Sequence, residues 1–388
     1  MTYRVFISTG EVSGDLQGAL LVEALYQQAR ERSIDLEILA LGGNRMENAG
    51  AEILAKTDGI GSVGLLESLP FVLPTLSVQR RALAALKTNP PDIVVLIDYM
   101  GPNLSLGNTL KHRFPGLPVV YYIAPQTWVW SPSDRDALRL VELSDRLLAI
   151  FPEEARYFEE KGASVTWVGH PLVDRLADAP SRDTARMALN LERDTCSIAL
   201  LPASRYQELK SLVPPIFQAA RQLQDRLPNV RFWIPLSLEI YREALAHAVD
   251  EYGLRAEIVR DRTLEILAAA DLAITKSGTV NLELAILDVP QVVVYAVHPV
   301  TAWIARKLLG FNIPFMSPPN LVQMKSIVPE LLQEAVTPDN IVRESLDLLL
   351  DLDRRRKTLD DYREMRTCLG TLGVCDRAAR EILGMMKL

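Results

Sequence analysis

Two carboxylates, Glu11 and Asp15, stand in the turn "STGEVSGDLQG", between a short apolar run at residues 5–7 and a helical pattern beginning near Leu16. A strand, a glycine-bearing turn and a helix N-terminus ordinarily hold phosphate, because unpaired N–H groups and the helix dipole attract anions. Acids repel phosphate and accept hydrogen bonds from hydroxyls, so a sugar or polyol suits this turn better. Gly10, Gly14 and Gly18 recur every four residues, which is not the dinucleotide spacing but permits close approach of helix and sheet. Glu11, Ser13, Gly14 and Asp15 are therefore candidate hydroxyl-binding residues. Ser13 or Asp15 alone is equally readable as a helix cap.

Asp98 ends the apolar run "DIVVLID", where an acid sits at the carboxyl edge of a strand. It can cap the helix that starts near Asn103. It can also act as a general base on an attacking hydroxyl, a role that contributes about 10²–10⁴-fold. The next such run is followed by "IAPQTWVWSPSDR", which puts Trp128 and Trp130 in a Pro-flanked loop. Loops are normally polar; these indoles pack the base of a cleft, stack on a sugar ring or meet acyl chains.

The second half reads differently. "LLPASRYQELK" carries Ser204 and Arg205 directly after a strand pattern. An arginine there can clamp a phosphate bidentately, or it pairs with Glu208 at the surface. "ITKSGTVNLELAI" runs strand, then Lys276, Ser277, Gly278 and Thr279, then helix, with no acid in the turn, so a diphosphate is electrostatically welcome. Glu283, a turn and a half into that helix, can grip paired ribose hydroxyls. The Walker pattern is missing, so this is no NTPase loop. Hydroxyl-seeking turns in the first half and phosphate-seeking turns in the second describe a glycosyltransferase with a nucleotide donor.

Two series of strand-like runs position these residues. The first is "YRVFIS", "LEILAL", "DIVVLID", "LPVVYYI", "RLLAIF" and "SVTWVG"; the second is "SIALLP", "VRFWIPL", "AEIVRD", "LAITK" and "QVVVYAV". Near-continuous apolar strands alternating with amphipathic helices indicate parallel sheets buried on both faces. The expected fold is α/β, with two doubly wound Rossmann-like domains facing a central cleft. An N-terminal acceptor-binding domain is expected over residues 1–168 and a C-terminal nucleotide-sugar-binding domain over 169–355, with 356–388 packing back on the first. The break at residues 169–183 argues against a closed eightfold barrel.

Composition narrows the class. At 388 residues with 48% hydrophobic and 23% charged content, the chain can fill two sizeable cores. A net charge of −7 lacks the basic footprint of nucleic-acid binding. Four scattered histidines and three cysteines without paired spacing give no metal or disulfide pattern and fit a reducing, cytoplasmic setting. No apolar run reaches the roughly 18 residues that span a bilayer. Residues 62–86 are nonetheless rich in Leu, Val and Phe, with Arg80 and Arg81 near the end. That segment reads as a helix packed on the sheet, which Pro70 and Pro74 interrupt, or as an acyl-chain groove and membrane-facing patch.

The motifs "GEVSGD" (10–15), "LGGNRM" (41–46), "GHPLVD" (169–174), "LLPASR" (200–205), "SGTVNLE" (277–283), "PPNLV" (318–322) and "VPELLQ" (328–333), taken together, resemble the lipid-A-disaccharide synthase family. The resemblance implies a B-type glycosyltransferase fold and inverting transfer of 2,3-diacylglucosamine from UDP to 2,3-diacylglucosamine 1-phosphate. The β-1,6 disaccharide and UDP are the implied products, with no cofactor and no metal. It further implies peripheral association with the inner membrane, leaves a homodimer open, and casts Asp98 and Arg205 as the residues important for activity. Ser204, Ser277, Gly278, Thr279 and Glu283 match the nucleotide-binding turns and helix, and Asn320 is implied to face the same cleft. Several positions depart from the pattern: Gly101 where a second acid is frequent, Ala203 in the phosphate turn, Ser131-Pro132-Ser133-Asp134 before Arg135, and "NLVQMKSIVPELLQ" in place of an Ala-Gly-Arg segment. Alternatives are a diverged relative with another acceptor, a sugar-nucleotide epimerase, or a non-catalytic lipid-binding protein.

Overall fold

A computed structural model of the chain describes residues 2–10, 12–57, 71–129, 131, 133–203, 206–236, 238–297 and 313–386. Among them, strands β1 (Thr2–Ser8), β2 (Asp35–Gly42), β3 (Glu52–Lys56), β4 (Ile93–Ile97), β5 (Val119–Tyr122), β6 (Arg146–Ala149) and β7 (Val165–Trp167) form one parallel sheet, ordered 3-2-1-4-5-6-7. A second parallel sheet contains β8 (Cys196–Leu201), β9 (Val230–Pro235), β10 (Ala256–Val259), β11 (Leu272–Lys276), β12 (Gln291–Tyr295) and β13 (Glu330–Leu332), ordered 10-9-8-11-12-13. Both sheets are open, which excludes the barrel and gives the two doubly wound halves expected.

The strand sequences explain the layers. All five residues of β4 are fully buried, as a central parallel strand covered by helices on both faces requires. On one face Phe6, Val94, Leu96 and Tyr121 pack against Leu104 and Leu110 of the Met100–Arg113 helix and Leu140 of the Arg135–Leu143 helix. In the second sheet, Ile198, Leu200 and Ile274 meet Phe217 and Ile216 on one side, while Ala199, Trp233 and Ala273 meet Ile266 and Leu284 on the other. This is the alternation that a period of two imposes.

In each sheet the strand order reverses once, between β1 and β4 (Val5 beside Ile93 through Ser8 beside Leu96) and between β8 and β11 (Ile198 beside Leu272 through Leu201 beside Thr275). Crevices at such reversals, outside the carboxyl ends of the strands, are where doubly wound sheets bind ligands. The turn after β1 and Asp98 after β4 flank the first reversal. Residues 202–203 and 276–279 flank the second.

By contacts, the described residues up to Asp174 and from Leu369 onward form one unit, and those from Arg175 to Cys368 form the other. Both limits lie later in the chain than the sequence suggests. Asp174 stays with the first unit because its carboxylate accepts the N–H groups of Gly373 and Cys375, both at 2.7 Å. The Leu352–Thr367 helix stays with the second, where Gln291 Nε2 donates to the Tyr362 hydroxyl (3.2 Å) and Arg366 pairs with Asp288 (2.7 Å). Among the described residues, the segment from Leu369 onward returns, its Val374–Gly384 helix packing on the Val12–Glu31 helix. Gly169 makes that return possible. Its φ is +91°, and a Cβ there would lie 2.8 Å from the Leu369 carbonyl oxygen.

Candidate active site

In the first unit the turn after β1 is compressed against its neighbours. A Cβ on Gly14 would fall 1.8 Å from Thr9 Oγ1, and one on Gly10 would fall 2.1 Å from the Tyr99 ring. Ser13 is half-exposed on the first helical turn, while Glu11 lies outside the described residues. Asp15 turns inward, with 6% of its surface exposed. Its Oδ1 accepts from the N–H groups of Gly43 (2.7 Å) and Met46 (3.2 Å), and its Oδ2 from Arg45 N–H (3.1 Å). The carboxylate therefore caps the short Asn44–Asn48 helix and orders the loop.

Asp98 and Tyr99 both adopt left-handed backbone, with φ of 46° and 50°, and Ile123 at the end of β5 does so at 60°. Each such non-glycine residue costs on the order of 1–3 kcal/mol and persists only where its surroundings over-determine it. Here they do. The Asp98 carbonyl accepts from Asn103 Nδ2 (2.8 Å) and the Tyr121 hydroxyl (2.7 Å), and its N–H donates to the Ile123 carbonyl (3.1 Å). Asn103 is buried and also receives the Ser8 hydroxyl (2.8 Å), tying the end of β1 to that of β4. The Met100–Arg113 helix begins after Asp98, with Tyr99 at its N-cap position. Burial, then the nearby Asp98 charge, hold the Tyr121 phenol well above its usual range, so it stays a donor.

Beside this strand edge, Trp128 is half-buried, with its ring 5.8 Å from that of Phe151, which in turn lies 5.4 Å from His170. Burial lowers His170 to about 3, so the ring is neutral, and its Nδ1 accepts the Leu172 N–H (3.2 Å). Trp130 lies outside the described residues. Gly101 opens onto a pocket of about 450 Å³ whose walls include Met100, Leu104 and Arg139, and a Cβ there would meet nothing within 4 Å.

The second unit's turn is closed by its own bonds. Ser277 N–H donates to the Val294 carbonyl (3.2 Å), its hydroxyl to the Met316 carbonyl (2.7 Å), and Gly278 N–H to Asn281 Oδ1 (2.7 Å). Asn281, three residues on, takes the Gly278 N–H as a cap, so the backbone N–H groups of Ser277 and Gly278 are both engaged within the fold. Lys276 remains as positive charge, 3.5 Å from Glu208, and Thr279 is half-exposed at the start of the Val280–Ile286 helix. Glu283 is buried and ion-paired with Arg175. Asn320 is fully buried: its Oδ1 accepts from Ile327 N–H (2.8 Å) and Val328 N–H (2.9 Å), and its Nδ2 donates to the Val328 carbonyl and Glu330. All four of these hydrogen bonds go to residues 327–330 and hold that segment to the Pro318–Gln323 helix. Ser204 and Arg205 lie outside the described residues.

Comparison with known proteins decides the family. Residues 5–382 match the family model of lipid-A-disaccharide synthetase. The chain belongs to the lipid-A-disaccharide synthase family. Relatives of that name from Gloeothece citriformis and Synechocystis sp. are 57% and 54% identical, over 98% of this chain and 99% and 97% of theirs. Among solved structures, the UDP-GlcNAc 2-epimerase from Neisseria meningitidis, bound to UDP-GlcNAc, superposes with a TM-score of 0.68 at 12% identity, covering 99% of this chain and 100% of that one. The glycotransferase of kitacinnamycin gives 0.61 at 15% identity, covering 99% of both chains. These likenesses carry the fold alone: two Rossmann-like halves of the glycosyltransferase B type.

Within this lipid-A-disaccharide synthase family member, the structure brings together the turn after β1, Tyr99, Asp98 and Asn103, and separately Lys276, Thr279 and the Arg175–Glu283 pair. Sequence reasoning missed Asn103, Glu154 and Arg175 as structural partners. Only "GHPLVD", which ends one residue before Arg175, gave any local sign.

Proposed function

We propose that this chain makes the lipid A disaccharide, transferring 2,3-diacylglucosamine from UDP to the 6-hydroxyl of 2,3-diacylglucosamine 1-phosphate with inversion. The observation that carries the reading is Asp98 at the strand reversal of the first sheet, within a chain matched end to end by the family. Asp98 takes the proton of the acceptor 6-hydroxyl. The oxygen attacks the anomeric carbon on the face opposite UDP, the bond to the diphosphate oxygen breaks, and its electron pair leaves with UDP. Arg205, Ser204, Lys276 and Thr279 stabilise the departing charge; losing one such preorganised contact raises a barrier by about 2.7–4 kcal/mol. Ser13, Gly14, Trp128 and the two undescribed residues Glu11 and Trp130 belong to the acceptor side. Glu283 meets the nucleotide ribose by exchanging its bond to Arg175.

Acylated substrates require an apolar approach. Among the described residues no helix is long and apolar enough to cross a membrane. The Val72–Thr88 helix, however, exposes Val72, Leu73 and Leu76 in its first turns and Arg80 and Arg81 just beyond. That face supports peripheral binding at the cytoplasmic surface of the inner membrane; residues 62–70 of the same segment lie outside the described residues. Incubating the purified chain with UDP-2,3-diacylglucosamine and 2,3-diacylglucosamine 1-phosphate, with mass detection of the products, tests the reading. Disaccharide and UDP in equal amounts are expected; UDP release without disaccharide, or no turnover, overturns it.

A further inference from the structure

The peptide group joining Ile123 to Ala124 is held from both sides. Its carbonyl accepts the Asp98 N–H at 3.1 Å, and its N–H donates to Glu154 Oε1 at 2.9 Å. Glu154 Oε2 accepts the N–H groups of Ile150 (2.8 Å) and Phe151 (3.2 Å) at the end of β6. Glu154 is fully buried, and among the described residues no cation is paired with it. As the third residue of the Pro152–Glu160 helix it accepts the N–H of the N-cap residue Phe151, a place that glutamine fills as well as glutamate. Capping therefore does not explain the charge. An ionised carboxylate accepts on both oxygens, whereas a glutamine or a protonated glutamate turns a donor toward one of the three N–H groups.

The peptide so gripped is one that a β-branched residue resists: Ile123 sits at φ 60°, and the Asp98 it holds sits at 46°. We propose that Glu154 is a positioning residue for the transfer reaction: its carboxylate locks the Ile123–Ala124 peptide, and that peptide fixes the left-handed backbone that aims Asp98. The proposal rests on Asp98 being the base. The titratable groups facing Glu154 are Asp98 and Tyr122 of β5, with Asp174 beyond Tyr122 and neutral His170 across the Phe151 ring. Burial, opposed by the three N–H groups and reinforced by the Asp98 charge, raises Glu154 to about 7. The lock therefore loosens as pH falls through that value.

The test is the pH dependence of kcat and KM for wild type and Glu154→Gln, from about pH 5.5 to about 9, beside amide exchange at Asp98 and Ala124. Glu154→Gln is expected to lower kcat about tenfold or more, leave the donor KM within about twofold, and remove the rise in kcat near pH 7. Exchange at the Asp98 and Ala124 amides is expected to quicken. A folded Glu154→Gln protein with the wild-type kcat and pH profile overturns the proposal. If wild type itself forms no disaccharide, the catalytic reading has failed instead, and exchange alone decides: quickened exchange at Asp98 supports the lock, and unchanged exchange overturns it. Should Glu154→Gln not fold, Glu154→Asp carries the same measurements. A lowered pH midpoint then supports the proposal, and an unmoved one overturns it.

Discussion

The two strand reversals share a topology and differ in where they hold strain. At the first, three left-handed non-glycine residues, Asp98, Tyr99 and Ile123, are pinned by the side chains of Asn103, Tyr121 and Glu154. At the second, no residue of the turn 276–279 is left-handed, and the turn is held by Asn281, the Val294 carbonyl and the Met316 carbonyl. A group that must be aimed at one atom repays such external bracing, because a small misplacement is costly in rate. The proposed site for a flexible diphosphate is met by a turn in unstrained backbone, with charge supplied by Lys276.

The contrast can be broken most forcefully at Asp98. Asp98→Asn is expected to reduce turnover by about 10²–10⁴-fold while UDP affinity stays unchanged. Steady-state kinetics and UDP calorimetry check this, and near-normal turnover moves the base to Glu11, since Asp15 is already spent on three amides. Next in size, Asn320→Ala is expected to lower stability by roughly 1–3 kcal/mol, because it orphans buried N–H groups. Urea unfolding reads the loss, and a fall in UDP affinity at full stability refutes the folding role.

A smaller effect separates Glu154 from its glutamine variant by pH. Its folded value, about 7, lies above the ordinary 4.5, so its contribution to stability is present below about pH 4.5 and lost as pH rises through 7. The stability of wild type relative to Glu154→Gln should therefore fall between pH 5 and pH 8; a constant difference in thermal unfolding contradicts it. Smallest of all, Leu73→Ser on the exposed helix face should change stability by less than about 0.5 kcal/mol. It should nonetheless weaken partitioning onto anionic vesicles, and undiminished partitioning removes that face from the membrane reading.

Much of this architecture was legible because buried parallel strands are written as apolar runs, and each reversal places a polar residue at the end of such a run. Asp98 and Lys276 were found that way. The short edge strands β3 and β13 were not: Glu52–Lys56 is half-exposed and mixed in character, and Glu330–Leu332 is only three residues long. Side-chain partners were the larger gap. Asp15 looked like a ligand because its three amides lie 28 to 31 residues away, and Glu283 looked free because Arg175 is 108 residues distant. Pattern and spacing report what a residue can do; which donors reach it first is settled by tertiary contact.

The returning helix Val374–Gly384 has a consequence for how the molecule is made. Asp174 waits for Gly373, 199 residues further along. At about 5–20 residues per second, a ribosome takes roughly 10–40 s to cover that distance. The first unit thus emerges early yet is completed last, after the second has been synthesised, and a premature stop that spares every catalytic candidate still leaves the Val12–Glu31 helix uncovered.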